Sequence, residues 1–76
     1  MSDRRPRLTA QEIIRVLKAH GFSLVSTRGS HQKWRNNQAR KQVIVPQHKG
    51  KVLPIGTLMS IVKGSGIPDE VWFVGN

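Results

Sequence analysis

This sequence predicts an α+β fold: a two-layer α-β-β-β-α sandwich, with a three-stranded antiparallel sheet and both helices on one face. Three observations carry the prediction. A capping sequence precedes an apolar stripe of helical spacing near the N-terminus, the period drops to two between Phe22 and Val45, and a second helical stripe follows Pro54 and stops at glycine. The extended runs are joined by short connections, which favours antiparallel neighbours, because a parallel pair needs a crossover of about a dozen residues or more. Helices that precede and follow such a sheet pack together on one side of it and leave the other side open.

The first helix is marked at both ends. Thr9 and Glu12 have the spacing of a capping box, in which each side chain bonds the other residue's backbone N–H, and Leu8 is placed to staple onto Ile13. The helix therefore starts at about Ala10. Ala10, Ile13, Ile14 and Leu17 form one apolar stripe. Gly21 supplies a left-handed stop that lets Phe22 fold back on Leu17, ending the helix near Ala19 or His20.

From Phe22 the chain alternates, with Phe22 and Leu24 on one face and Ser23 and Val25 on the other, until Gly29-Ser30 breaks the first strand. His31 to about Asn36 is the second strand, and Asn36-Asn37-Gln38-Ala39-Arg40 a loose hairpin turn. Gln42-Val43-Ile44-Val45 is a β-branched third strand ended by Pro46. The second helix begins between Pro54 and Thr57. Its stripe is Ile55, Leu58, Met59 and Val62, and Gly64 or Gly66 stops it. Ile67 to Phe73 adds one last turn, with acids at the N-terminal end of its dipole and aromatics capping the core.

A chain of 76 residues is one domain with a modest core. Residues 1–7 read as a flexible basic arm and residues 8–76 as the domain. Thirteen Lys and Arg against four Asp and Glu give a net charge of +9, which implies a polyanionic partner. Between Arg28 and Lys51 lie seven cations and no acid. No cysteine is present, which excludes disulfides and thiolate zinc sites, and the scattered histidines and acids make no metal ligand set. No P-loop pattern supports nucleotide hydrolysis. The N-terminus lacks the apolar run of a signal peptide or membrane anchor, so the expected location is the cytoplasm.

The segment from Arg28 to Arg35 concentrates the chemistry. In a strand, alternate side chains share a face, so His31, Lys33 and Arg35 project together while Trp34 points to the core. Imidazole exchanges protons near neutral pH, and cations grip phosphate. The combination predicts a site that holds a nucleic-acid backbone and cuts it. Arg28, Ser30, Lys49 and Lys51 form a wider RNA-binding shell, and His48 is a candidate for the second proton transfer.

Gly29-Ser30-His31 opening the second strand, Val45-Pro46-Gln47-His48 closing the third, and Gly56-Thr57-Leu58-Met59-Ser60-Ile61 opening the second helix resemble, in that order, the HicA toxins of bacterial HicA-HicB toxin-antitoxin systems. The likeness runs from about Thr9 to Ile67. It implies a fold like that of double-stranded-RNA-binding domains and an mRNA-cleaving endoribonuclease, while the missing metal ligand set leaves the expected chemistry without a cofactor. It also implies His31 as the catalytic residue, and a HicB antitoxin as the partner that holds the enzyme inactive. The basic N-terminal arm and the Trp72-Phe73 tail depart from a typical member.

Each signal has a plainer reading. His31 and His48 could be idle surface histidines, and the basic run a solvated face, although cations without compensating acids repel one another unless a polyanion screens them. His20 reads as a complement to a helix C-terminal dipole, and Trp34 as core rather than a base-stacking platform. The competing function is a non-catalytic RNA-binding module that reads backbone and shape. A further reading, compatible with either, is a basic interaction protein whose open sheet edge pairs with a partner chain.

Overall fold

Thr9 caps the first helix as its spacing with Glu12 requires. Its Oγ1 accepts from the Glu12 N–H at 3.3 Å, and the Glu12 carboxylate accepts the Thr9 N–H at 2.9 Å. The computed structural model describes residues 7–73, and the basic arm predicted for residues 1–7 lies, apart from Arg7, outside them. Helix α1 spans Ala10–Ala19 and buries Ala10, Ile13 and Leu17. Gly21, at φ +89°, turns the chain out. The Phe22 N–H donates to the Leu17 carbonyl at 3.0 Å and the Gly21 N–H to that of Lys18 at 3.3 Å, the paired bonds of a Schellman motif, with Phe22 and Leu17 both buried.

Strands β1 (Ser23–Arg28), β2 (His31–Asn36) and β3 (Lys41–Pro46) form an antiparallel sheet in the order β1-β2-β3. Trp34, Val43 and Val45 face the helices and are buried. Ile44 is paired with Lys33 on the opposite, solvent-exposed face. Helix α2 (Ile55–Ser65) packs on β3 and ends at Gly66, which takes φ +73°. The buried Ser65 hydroxyl donates to the Val62 carbonyl at 2.8 Å and accepts the Ile67 N–H at 3.1 Å, so both backbone groups at this exit are satisfied. A short helix, α3 (Asp69–Phe73), brings Trp72 into the core.

One expectation needs correction, and one strand behaves in a way its alternation does not record. The buried stripe of α2 is Leu58, Ile61 and Val62 with the polar Ser65, whereas Ile55 is 44% exposed. The helix is rotated so that β3 meets the face beginning at Leu58. Strand β1 buries nothing: all six residues are exposed, Leu24 by 47%, because α1 and α2 both lie over β3 and leave β1 uncovered. The alternation seen there sets a strand but not a buried face. A bulge between Leu24 and Ser26, with Val25 the extra residue, further shifts the register.

Candidate active site

Gly29 and Ser30 are the two central residues of the β1–β2 hairpin, with Arg28 paired directly to His31. Gly29 takes φ +60° in the first central position, where a type II′ turn places glycine. The tight turn puts His31 at the start of β2 with its side chain on the face away from the helices. Lys33 and Ile44 share that face, and Ser26 and Arg28 join it from β1 because they pair with Lys33 and His31. A shallow groove runs between Ser26, Arg28, His31, Lys33 and Ile44.

A second groove opens on the other side of His31. Its walls include His48, Lys49 and Lys51 from the β3–α2 loop, with Pro54 and Thr57 from the start of α2. The loop is held at both ends. The Gln47 N–H donates to the Ser30 carbonyl at 2.6 Å, and the Leu53 N–H to that of Leu8 at 2.9 Å beside an isolated bridge between Thr9 and Val52. Between these anchors the Lys51 N–H donates to the His48 carbonyl at 3.0 Å, and Gly50 turns at φ +75°. Residues distant in sequence are thereby fixed around one imidazole. Helix α2 begins here without a side-chain cap, so its first N–H groups and the positive end of its dipole border the groove.

His31 thus stands on the ridge between two grooves that carry Arg28 and Lys33 on one side and Lys49 and Lys51 on the other. Among the described residues no carboxylate lines either groove. The imidazoles of His31 and His48 are both exposed, and neither hydrogen-bonds to another described residue. An exposed imidazole without an internal partner is available to exchange a proton with a bound molecule.

Not every residue anticipated for the site reaches it. Arg35 shares the His31 face by alternation but lies about 13 Å along the strand at ~3.3 Å per residue. Its Nε donates to Asn37 Oδ1 at 2.7 Å. Ser30 serves the fold through its carbonyl and lines neither groove. Thr57 lines the groove but was not among the residues singled out for the site, and the Gly56-Thr57 helix start was the signal that could have found it. His20 takes the structural role expected of it, with Nδ1 donating to the Val16 carbonyl at 2.9 Å. Trp34 is buried, its Nε1 donates to Gln32 Oε1 at 3.2 Å, and Lys18 Nζ sits 5.8 Å from its ring centroid. Among the described residues no three His, Cys, Asp or Glu side chains gather into a metal-binding group, and no helix is long and apolar enough to cross a membrane.

Comparison with known proteins adds a lineage to this geometry. A search of curated proteins finds no match. The family model described as HicA toxin of bacterial toxin-antitoxin matches residues 10–67, a span that runs from the first residue of α1 to just past the end of α2 and contains both grooves. On a match over more than half its length, the chain belongs to the HicA toxin family of bacterial toxin-antitoxin systems.

Proposed function

We propose that the protein is a metal-independent endoribonuclease that cleaves mRNA in the cytoplasm and is restrained by a HicB-type antitoxin. One observation carries this reading: an exposed imidazole with no hydrogen-bond partner among the described residues, His31, stands between two grooves lined by Arg28, Lys33, Lys49 and Lys51, with His48 in one of them. The cations and the start of α2 hold the RNA backbone. One imidazole takes the proton from a ribose 2′-hydroxyl, whose oxygen attacks the adjacent phosphorus. The cations stabilise the negative charge that develops on the phosphorane oxygens. A protonated group gives its proton to the departing 5′-oxygen as the P–O bond breaks. The products are a 2′,3′-cyclic phosphate and a 5′-hydroxyl. His31 is the base or the acid, and His48 is its complement.

Purified protein is incubated with a mixed RNA in EDTA, alongside His31→Ala, and the product ends are analysed. Cleavage by the wild type alone, with cyclic phosphate ends, is the expected result. A 5′-phosphate product, a requirement for added divalent ions, or undiminished cleavage by folded His31→Ala would overturn it. RNA binding without cleavage by either protein would establish the non-catalytic RNA-binding reading instead.

A further inference from the structure

The two edges of the sheet are treated differently. The β3 edge ends in Pro46, which has no N–H to offer, and α2 packs against the strand so closely that a Cβ added at Gly64 would lie 3.3 Å from Val43 Cγ1. The β1 edge has neither a proline nor a helix packed on it, and the bulge at Val25 is its one irregularity. No strand among the described residues pairs with its outer side, all six of its residues are exposed, and the run from Ser23 to Thr27 contains no charge and no proline. It also displays Leu24 at 47% and Val25 at 56% exposure. An uncovered apolar edge strand is a template for pairing with another chain, and natural sheets avoid leaving one unless a partner uses it.

The surroundings of β1 choose the partner. On the helix side, a groove between α1 and β1 sets Ile14, Leu24 and Trp34 beside Arg15 and Lys18. On the open side, β1 borders the groove that holds Arg28 and Lys33. Both faces of an added strand would therefore meet cations, and among the described residues no acid lines either groove. A second copy of this chain, at +9, brings the wrong charge to such an edge. Nucleic acid fits the cations but gains nothing from Leu24 and Val25.

We infer that β1 is a docking edge for an extended acidic protein segment with alternating apolar residues, which adds a fourth strand to the sheet. Its backbone pairs with the outer edge of β1, its apolar side chains cover Leu24 on the helix side, and its carboxylates face Arg28 and Lys33 on the open side. This deepens the antitoxin half of the proposed function. Because Arg28 pairs with His31, a strand bound there stands beside the catalytic groove and obstructs RNA.

The test is a titration of the isotope-labelled full chain with a short synthetic peptide of alternating glutamate and valine, followed by amide shifts and hydrogen exchange. The expected result is shifted and slowed amides in Ser23–Arg28, with binding weakened by salt and absent for a lysine-valine peptide. Replacing Leu24 and Val25 together with serine leaves the charge unchanged, and both positions are exposed. This variant should bind the peptide about tenfold more weakly while cleaving RNA as the parent does. No binding, equal binding of the basic peptide, shifts confined to the His31 and His48 grooves, or self-association through β1 would each overturn the inference, as would a single-stranded RNA that protects the same amides. His31→Ala should retain peptide binding, so failure of this inference and failure of the ribonuclease reading are separable.

Discussion

His31 owes its position to a glycine. Gly29 at φ +60° makes the two-residue turn possible, and the turn sets which face of β2 the imidazole occupies. Because His31 is exposed and bonded to no described neighbour, its removal should affect proton transfer rather than folding. His31→Ala is expected to lower the cleavage rate by about 10² to 10⁴ with an unchanged thermal unfolding midpoint. His48→Ala should lower it in the same range, and a single-turnover assay measures both. Lys33 and Arg35, equivalent by alternation, separate in the structure. Lys33 borders the His31 groove, whereas Arg35 is engaged by Asn37. Lys33→Ala should therefore weaken RNA binding and cleavage severalfold, and Arg35→Ala should do so less. Equal losses would show that phosphate contacts extend along the whole strand.

At the scale of elements, the helix ends dominate. The Thr9 cap satisfies backbone donors at the start of α1, so Thr9→Ala should destabilise the protein by about 1 kcal/mol, read by urea unfolding. The same residue bridges to Val52, which anchors the loop carrying His48 and Lys49. A loss of activity beyond the loss of stability would reveal that second role. Gly66 ends α2 at φ +73°, and a Cβ there would lie 3.2 Å from Lys41 Cε. The lysine can move, but the left-handed backbone cannot be exchanged cheaply. Gly66→Ala should cost about 1–2 kcal/mol in the same measurement. The core is small enough that one side chain matters: Leu17, fully buried under the sheet, should cost about 2–5 kcal/mol when cut to alanine.

At the scale of the molecule, charge governs association. Phosphate contacts release counterions, giving a slope of about −0.7 per contact on single strands in a plot of log affinity against log salt. If Arg28, Lys33, Lys49 and Lys51 each engage one phosphate, the slope should be near −3. Binding of an uncleavable RNA by the His31→Ala chain, measured across a salt series, gives the value directly. Changing Lys49 and Lys51 together to alanine should flatten the slope by about half. A slope near zero would mean that the basic surface serves solubility alone.

The element order, the capping box, the Schellman exit at Gly21 and the bounds of β2 were legible in the sequence because each rests on contacts between residues a few positions apart. The strand alternation likewise placed His31 and Lys33 on one face and Trp34 on the other. The family likeness singled out His31, and local charge made the choice reasonable. What lay beyond local rules was decided by packing. The position of the helices over β3 left β1 bare and turned Ile55 outward, and no periodicity records which strand a helix will cover. The gathering of His48, Lys49 and Lys51 around His31 depends on hydrogen bonds from Gln47 to Ser30 and from Leu53 to Leu8. Those bonds join segments far apart in the chain, and only the tertiary structure brings their ends together.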